Sequence, residues 1–357
     1  MNDPLSLFGA RLAYAASQLP RLAWYTGHDI VFRRLVAEAR RRGGKSARLP
    51  AQSRVALPDR ERIYADMFAL LRQDFANVAA GIYPVPYDRE GSLATRLYRS
   101  RLFFADLREV YRRRERNGFA EVLDDSTRGR RPDYYLQNFH FQSGGWMTDE
   151  SADRYDTQVE VLFKGTANVM RRQALPPLFE IFSGRDQRTL QLIDIGCGTG
   201  RFLDLVKQAW PLLPTLGIDL SDSYIRHARR HLQRRRRIAL VVANAEAIPV
   251  PDRSTDAATS IFMMHELPPP VRRAVVKECA RVLKPGGRLV LIDSLQTGDN
   301  PAYDGMLERF PQNYHEPYYR SYLKEDFPGL ARQCGLVHQR SFPAFVSKVM
   351  VFDKRAT

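Results

Sequence analysis

The sequence predicts an α/β protein in which a largely parallel sheet follows a helical amino-terminal region. Residues 190–201 form an apolar run that ends in a carboxylate and three alternate glycines, as expected of a buried strand that turns tightly into a helix. Apolar runs then alternate with helical patterns up to residue 293, which indicates right-handed crossovers between parallel strands. The first 116 residues instead carry apolar side chains at helical spacing.

The elements of the second half can be placed in order. Strands are predicted at residues 190–195, 215–218, 238–242, 256–262 and 288–293, and helices at 202–209, 223–233 and 271–282. After an insertion, a helix at 323–334 precedes two further strand patterns at 336–342 and 345–352. Loops that follow the carboxyl ends of such strands are where open α/β sheets bind ligands.

The glycine-rich turn is suited to close contact with a ligand. Gly196, Gly198 and Gly200 lack Cβ atoms, so the backbone can adopt conformations closed to other residues and bring its amides against a bound group. Asp194 ends the strand and is expected to point into the ligand crevice. An NAD-binding fingerprint requires a third glycine where this chain has Arg201, so the loop does not predict a dinucleotide-binding protein.

Four further features follow the loop. Asp219 ends the second strand, Asn244 opens the segment Asn-Ala-Glu-Ala-Ile-Pro after the third, and His265-Glu266 follows the fourth. Residues 281–293 read Arg-Val-Leu-Lys-Pro-Gly-Gly-Arg-Leu-Val-Leu-Ile-Asp. From about residue 152 to 354 the chain resembles the class I S-adenosylmethionine-dependent methyltransferases, in particular the ubiquinone- and menaquinone-biosynthesis type. The resemblance implies a Rossmann-like, mostly parallel sheet with an antiparallel last strand.

The resemblance also implies the cofactor, S-adenosylmethionine, and the residues that bind it. Its methionine portion would be held by Asp194 and by the loop of Gly196, Cys197, Gly198 and Gly200.

The remaining cofactor contacts are implied by the later features. Asp219 would bind the ribose hydroxyls and Leu220 would flank the adenine, whose edge would meet Asn244, Ala245 and Glu246. The family usually has Asp where this chain has Asn244. An Asn carbonyl can still accept a hydrogen bond from the adenine amino group, so we expect cofactor binding to be retained.

Three residues are candidates for catalysis. Methyl transfer from a sulfonium is an in-line displacement, for which alignment of the acceptor and the methyl group supplies most of the rate. His265 is a candidate base because a neutral imidazole can remove an acceptor proton, and Glu266 stands beside it. The alternative is a helix cap or a solvated His-Glu pair. Tyr155 is assigned by the resemblance, which implies a tyrosine-bearing helix over the cofactor.

Two segments are candidates for the acceptor pocket. Residues 132–147 and the insertion at 293–322 combine aromatic rings with a few polar groups, as small-molecule pockets do. The predicted lining residues are Tyr135, His140, Gln142, Trp146, His315 and Tyr318. An aromatic linker packed between two domains would have the same composition. Histidines and glutamates in these segments show no metal-ligand spacing beyond adjacency, so no metal site is predicted.

The length of 357 residues exceeds that of one typical domain. We predict a helical accessory and acceptor-pocket domain at residues 1–150 and a cofactor-binding domain at residues 151–357. The first domain should contain a helix that starts near Pro58 after the capping residue Asp59, and another at residues 93–116.

The first helix of that region carries an apolar stripe. The residues that recur at helical spacing are Leu5, Phe8, Leu12, Ala15, Leu19 and Leu22, and Pro20 is expected to interrupt the pattern. Such a helix either lies on a membrane surface or packs against its own protein.

The composition limits the classes of partner and compartment. The net charge of +15 is spread along the chain, with 25 − 18 = +7 in residues 1–150 and 30 − 22 = +8 in residues 151–357. A solvated basic surface is therefore preferred over a nucleic-acid site. No run of about 18 apolar residues and no leader pattern is present, so neither a spanning helix nor a signal peptide is predicted. Three cysteines without a C-x-x-C pattern indicate a reducing, cytoplasmic compartment.

The sequence thus predicts a cytoplasmic S-adenosylmethionine-dependent methyltransferase with a small, aromatic or lipid-like acceptor. Peripheral contact with membrane lipid stays open as the alternative to packing of the first helix against its own protein. Two alternatives remain open. One is a nucleic-acid or protein methyltransferase that docks through its basic surface, although no Asn-Pro-Pro-Tyr-like motif follows the fourth strand. The other is a cofactor-binding protein without catalysis. The oligomeric state is not predicted.

Overall fold

The computed structural model describes residues 4–42, 53–88, 90–124 and 129–356. Its amino-terminal part contains three long helices, α1 (Pro4–Arg42), α2 (Arg60–Ala79) and α3 (Leu93–Arg116). The Asp59 side chain accepts a hydrogen bond from the Arg62 amide and so caps α2, while Ser92 caps α3 in the same way. These caps satisfy amides that would otherwise be unpaired, and they explain why both helices begin close to the predicted positions.

Helix α1 runs without a break through Pro20, so the predicted interruption is wrong. Proline removes one N–H donor from the helix. On both sides of Pro20, however, α1 is held by buried side chains, among them Tyr14, Arg21 and Tyr25. Packing of this face compensates for the missing hydrogen bond.

The predicted apolar stripe of α1 is exposed. Four of its six side chains are 56–80% accessible to solvent: Leu5, Phe8, Leu12 and Leu19. Leu22 is buried and Ala15 is half-buried, so only these four side chains of the stripe are left without packing against the described part of the chain. Within the same described ranges, no helix is both long and apolar enough to cross a bilayer.

A seven-stranded sheet forms the centre of the second half. Its strands are β1 (Leu192–Ile195), β2 (Thr215–Asp219), β3 (Ile238–Val242), β4 (Thr255–Ile261), β5 (Leu283–Ser294), β6 (Leu336–Ala344) and β7 (Ser347–Lys354). The strand order is β3-β2-β1-β4-β5-β7-β6. The ladders from β3 to β5 are parallel, and β7 is antiparallel to both of its neighbours. The prediction of a mostly parallel, Rossmann-like sheet with an antiparallel last strand is confirmed.

Nine helices accompany the sheet in the described ranges. They are α4 (Asp149–Leu162), α5 (Ala167–Arg172), α6 (Leu175–Phe182), α7 (Arg201–Ala209), α8 (Asp222–Leu232), α9 (Pro269–Val282), α10 (Asp304–Asn313), α11 (Tyr319–Tyr322) and α12 (Phe327–Gln333). Helices α7, α8 and α9 follow β1, β2 and β4, as predicted. Helix α5 ends and α6 begins just ahead of Pro176 and Pro177, because proline lacks the N–H that a continuous helix needs.

The amino-terminal helices are joined to the second half by buried charge. The carboxylate of Asp74 on α2 accepts hydrogen bonds from Arg172 on α5, at 2.9 Å from Nε and 2.8 Å from Nη2. The hydroxyls of Tyr14 and Tyr83 donate to the same carboxylate at 2.7 Å each. Tyr14 belongs to the hydrophobic core that also contains β1 and β7. The division at residue 150 remains a prediction, and these contacts cross it.

Strand register brings three loops together. Asp194 in β1 lies opposite Gly217 in β2 and opposite Thr259 in β4. The carboxyl ends of these three parallel strands therefore meet at one edge of the sheet, and the loops that follow them form the site described next.

Candidate active site

The three glycines after β1 all have positive φ angles, but the space around them differs. Gly196 and Gly198 have φ of 71° and 54° and line a cavity at the sheet edge. A Cβ on Gly198 would meet no atom within 4 Å, whereas one on Gly200 would lie 2.7 Å from Leu232 Cδ1. Gly198 thus leaves space for a ligand, while Gly200 allows α7 to approach α8.

Asp219 closes the loop from the neighbouring strand. Its Oδ2 accepts a hydrogen bond from the Gly198 amide at 2.8 Å, and its Oδ1 accepts one from the Ser221 amide at 2.8 Å. Burial raises the pKa of Asp219, against the lowering effect of these backbone amides. The carboxylate lines the cavity beside Leu220, where it can accept hydrogen bonds from a pair of hydroxyls.

Three members of the predicted loop set do not line the cavity: Gly200, Asp194 and Cys197. Asp194 is 1% exposed and accepts a hydrogen bond from Thr259 Oγ1 at 2.7 Å. Burial raises the pKa of Asp194 to about 7; the Thr259 hydrogen bond opposes this rise and Asp219 adds to it. The thiol of Cys197 packs against β2, because a Cβ on Gly217 would lie 2.9 Å from Sγ. A cationic ligand group near Asp194 would favour its ionised form, whereas Cys197 can offer only backbone atoms.

The segment after β3 forms the next side of the cavity. Asn244 and Ala245 line it, and Asn244 Oδ1 accepts a hydrogen bond from the Glu246 amide at 2.9 Å. The carboxylate of Glu246 accepts a hydrogen bond from the Tyr134 hydroxyl at 2.8 Å. Glu246 therefore anchors the aromatic segment, residues 132–147, instead of lining the cavity.

Helix α4 covers the glycine loop. Asp156 accepts hydrogen bonds from Thr199 Oγ1 at 2.6 Å and from Arg201 Nε at 2.7 Å, and all three side chains are buried. Arg201, which excludes the NAD fingerprint, thus joins α4 to α7. The preceding residue, Tyr155, lines the cavity and makes an edge contact with Trp146 at a ring-centroid distance of 5.3 Å.

Aromatic rings form most of the opposite wall. The rings that line the cavity are Tyr134, Tyr135, Phe139, Trp146, Tyr155, Tyr224 and Phe262. Burial raises the pKa of the Tyr155 phenol above its ordinary value, so this hydroxyl stays neutral at physiological pH. The cavity combines flat apolar surfaces with a few polar groups, as small-molecule sites do.

His265 and Glu266 differ in their relation to the cavity. Glu266 lines it, whereas His265 does not. Asp293 at the end of β5 accepts a hydrogen bond from the His265 backbone amide at 3.1 Å and pairs with Nδ1 at 2.6 Å. Burial alone would lower the pKa of His265, but Asp293 outweighs it and raises the pKa to about 10. An imidazole that is protonated at neutral pH donates a proton instead of accepting one, which argues against the predicted role of a neutral base.

Of the six predicted acceptor-pocket residues, Tyr135 and Trp146 line the cavity. The other four do not, and this part of the prediction needs correction. Gln142 is fully buried and donates hydrogen bonds to Gly145 O and Ser151 Oγ. Its amide holds the aromatic segment together because a buried amide needs partners.

The other three residues, His140, His315 and Tyr318, lie outside the cavity lining. His315 stacks on Phe119 with ring centroids 4.3 Å apart and bonds Gln137 Oε1 at 2.7 Å. The Tyr318 hydroxyl accepts a hydrogen bond from Gln137 Nε2 at 3.1 Å. His140 faces the carboxylate of Glu316. These contacts attach the insertion after β5 to the aromatic segment.

Sequence analysis missed several residues of the cavity. Tyr134 and Phe139 lie in the aromatic segment, which was singled out, but no local signal separated inward from outward rings. Tyr224 lies on α8 and follows Ser221, which caps that helix. Phe262 has a φ of 58°, a conformation that is rare for a bulky side chain and that only the structure reveals.

Comparison with known proteins agrees with this geometry. Residues 192–287 match the family model described as a methyltransferase domain. The chain is 28% identical over 181 residues to a demethylmenaquinone methyltransferase of Thermotoga maritima, across 51% of this chain and 74% of that protein. It is 31% identical over 161 residues to a ubiquinone/menaquinone biosynthesis C-methyltransferase of Syntrophotalea carbinolica, across 45% and 64%.

A third relative is named for a different acceptor. A malonyl-[acyl-carrier protein] O-methyltransferase of Methylococcus capsulatus is 38% identical over 99 residues, which cover 28% of this chain and 35% of that protein. The chain thus spans about a third of this relative and less than two thirds of the one from Syntrophotalea carbinolica. Residues 192–287, which match the family model, include the glycine loop, Asp219 and the end of β4. The carboxyl-terminal part of the chain contains a methyltransferase domain that resembles the ubiquinone/menaquinone-biosynthesis enzymes, and its cofactor is S-adenosylmethionine.

Proposed function

We propose that the chain transfers a methyl group from S-adenosylmethionine to a small acceptor with an aromatic or lipid-like body. One observation carries the proposal: the cavity that contains Gly198 and Asp219 is bounded on its other side by aromatic rings. Aromatic walls bind flat or apolar molecules through burial of their surface. Two relatives are named for menaquinone or ubiquinone biosynthesis, which supports a ring-bearing acceptor.

In this proposal the protein contributes mainly alignment. The bound cofactor supplies an electrophilic methyl group. Asp219 accepts hydrogen bonds from ribose hydroxyls, and the open side of Gly198 admits the cofactor close to the backbone. Trp146 and Tyr155 orient the acceptor ring, and Glu266 holds a polar group of the acceptor on the same wall. Fixing the two reactants in line converts a bimolecular step into an effectively unimolecular one.

Trp146→Ala is expected to raise the acceptor KM with a smaller effect on the cofactor KM. Trp146 contacts the rings of Tyr155 and Tyr224 and lines the cavity. An aromatic pair contributes about 0.5–1.5 kcal/mol beyond the burial of area, and about 1.4 kcal/mol corresponds to tenfold, so acceptor kcat/KM should fall by about tenfold or more. The measurement is transfer of a labelled methyl group to polyprenylated demethylquinones and, in parallel, to malonyl-acyl-carrier protein.

Trp24→Ala is the matched control, because Trp24 lies on α1 and stacks with Arg96 away from the cavity. Methylation of malonyl-acyl-carrier protein but of no quinone would refute the proposed acceptor class. Equal kcat/KM values for the two tryptophan variants would refute the role of the aromatic wall.

We further propose that the exposed apolar stripe of α1 rests on an anionic membrane surface, from which a lipid-like acceptor can enter. Helix α1 carries seven arginines and two acidic residues, a charge of 7 − 2 = +5, and has no acidic residue before Asp29. A basic helix with one exposed apolar face is typical of interfacial binding. The three cysteines are free thiols, which supports the cytoplasmic side of such a membrane.

The triple variant Phe8→Ser, Leu12→Ser and Leu19→Ser is expected to bind vesicles of phosphatidylcholine and phosphatidylglycerol about 100-fold more weakly. Partial burial of each side chain contributes about 1 kcal/mol, and about 1.4 kcal/mol corresponds to tenfold. Vesicle flotation measures the effect. As a control, Leu212→Ser and Val241→Ser change exposed apolar residues elsewhere and should leave binding intact. If the wild-type protein fails to float with the vesicles, or if the stripe mediates self-association instead, the proposal is wrong.

A further inference from the structure

Three ionisable side chains from distant parts of the chain meet beside the cavity. Nε2 of His140 and one carboxylate oxygen each of Glu266 and Glu316 lie within 4.8 Å of one another. Glu266 lines the cavity, whereas Glu316 is 3% exposed. Glu316 is thus enclosed by protein, and the group of three side chains contacts the cavity through Glu266.

Glu316 lacks the partners that a buried carboxylate needs. Neither of its oxygens accepts a hydrogen bond within the described part of the chain. Nε2 of His140 is also buried without a hydrogen bond, and it lies in close contact with Glu316 Oε1. A buried polar group is tolerated when it is hydrogen-bonded or when it coordinates a metal.

The nearby cation does not meet this need. Nε2 of His265 lies 3.9 Å from Glu266 Oε1, but its Nδ1 is already paired with Asp293 at 2.6 Å. His265 is thus committed to Asp293, and the carboxylate of Glu316 has the His140 ring beside it.

The three donor atoms suit a particular class of ion. Imidazole nitrogen favours Zn²⁺, Fe²⁺ and related ions, and carboxylate oxygen adds Mn²⁺, whereas Mg²⁺ and Ca²⁺ prefer oxygen ligands alone. Metal–ligand distances of about 2.0–2.2 Å place neighbouring ligand atoms about 3–4 Å apart. Binding of an ion requires the His140 and Glu316 side chains, which are in close contact, to move apart to that spacing.

The backbone holds the two outer ligands in place. His140 has a φ of 55°, in the left-handed region, and its amide donates a hydrogen bond to His315 O at 3.2 Å. His315 precedes Glu316, so this bond joins the two segments that carry the buried pair. Arg113 donates a hydrogen bond to Phe141 O at 3.2 Å on the other side of His140. Such supporting contacts orient metal ligands.

We propose that His140, Glu266 and Glu316 bind one divalent first-row transition-metal ion, such as Zn²⁺ or Mn²⁺, at the acceptor side of the cavity. The remaining coordination positions face the cavity and are available to water or to an oxygen of the acceptor. The inference depends on the geometry of these three side chains and not on the proposed acceptor.

The test uses the full chain after removal of metals with a chelator. Calorimetry with Zn²⁺ alone and electron paramagnetic resonance with Mn²⁺ alone are expected to show one ion per chain. Glu316→Gln and His140→Ala should each weaken Zn²⁺ binding by about 100-fold or more, since loss of a supporting partner alone costs about 10–100-fold. His338→Ala is the control, because His338 is exposed on β6 and bonds Ser341; it should bind Zn²⁺ like the wild type.

Zinc-edge absorption spectroscopy of the wild type provides a measurement that does not depend on the folding of the variants. It should show one imidazole nitrogen with oxygen ligands and no sulfur. Absence of a stoichiometric ion, a sulfur ligand, undiminished Zn²⁺ binding by folded Glu316→Gln, or Mg²⁺ binding as tight as Zn²⁺ binding would each overturn the proposal. If no stoichiometric ion is found, His140 and Glu316 would share a proton instead of a metal.

Discussion

Replacement of Asp219 by alanine is expected to weaken the binding of S-adenosylmethionine and S-adenosylhomocysteine by about 100-fold or more. Hydrogen bonds to a charged group contribute about 1.5–3 kcal/mol each, and in the proposed complex this carboxylate accepts two from the ribose. The same carboxylate holds the Gly198 amide at 2.8 Å, so its loss also releases the glycine loop. Isothermal titration calorimetry with each nucleoside measures the change directly.

Two further variants test whether the loss of cofactor affinity is specific to the Asp219 carboxylate. Asp222→Ala removes a carboxylate only three residues away, but that side chain is 55% exposed and pairs with Arg131, so cofactor affinity should not change. Asp219→Asn keeps the shape of the side chain and should show an intermediate loss. If Asp219→Ala binds the cofactor as tightly as the wild type, the assignment of Asp219 to the ribose is wrong.

Asp74→Ala is expected to lower the free energy of unfolding by about 3–5 kcal/mol, as measured by urea denaturation. Removal of one member of a buried ion pair leaves an uncompensated charge and has this typical cost. Here the guanidinium of Arg172, whose side chain is 1% exposed, loses its shortest contacts and keeps the longer pair with Asp88 at 3.4 Å. Tyr14 and Tyr83 lose their acceptor as well.

Glu109→Ala serves as the comparison for this stability measurement. Glu109 forms an exposed pair with Arg112 within α3, and such surface pairs contribute about 0–1 kcal/mol. A loss for Asp74→Ala no larger than that for Glu109→Ala would mean that Arg172 finds other partners on unfolding or after relaxation, and that the buried network adds little stability.

The sheet and the cofactor side of the site were largely predictable because their signals are local. An apolar run that ends at Asp194 and a glycine turn define a strand, its carboxyl end and the ligand edge within a dozen residues. The same holds for Asp219 and for Asn244, each of which directly follows a strand. Helix α3 was predicted with its observed bounds because its apolar spacing is also a local signal. Ser92 caps the helix directly before Leu93.

The acceptor side was predicted less well because its contacts join distant residues. Nothing near His265 in the sequence points to Asp293, which is 28 residues away and raises the pKa of the imidazole. His140 and Glu316 are 316 − 140 = 176 residues apart, yet they face each other. In the aromatic segment, composition indicated a wall, but only the folded chain distinguishes Trp146 in the cavity from Gln142 behind it.

The buried ion pair of Asp74 and Arg172 bears on whether the second half of the chain can fold without the amino-terminal helices. Arg172 is placed before the sheet in sequence, and its charge is neutralised by a helix that belongs to the preceding region. A methyltransferase domain cut free at residue 150 would expose a guanidinium and an apolar surface that now includes Tyr14. The amino-terminal helices are therefore structural members of the same cooperative unit, and loss of structure in one region should be accompanied by loss in the other.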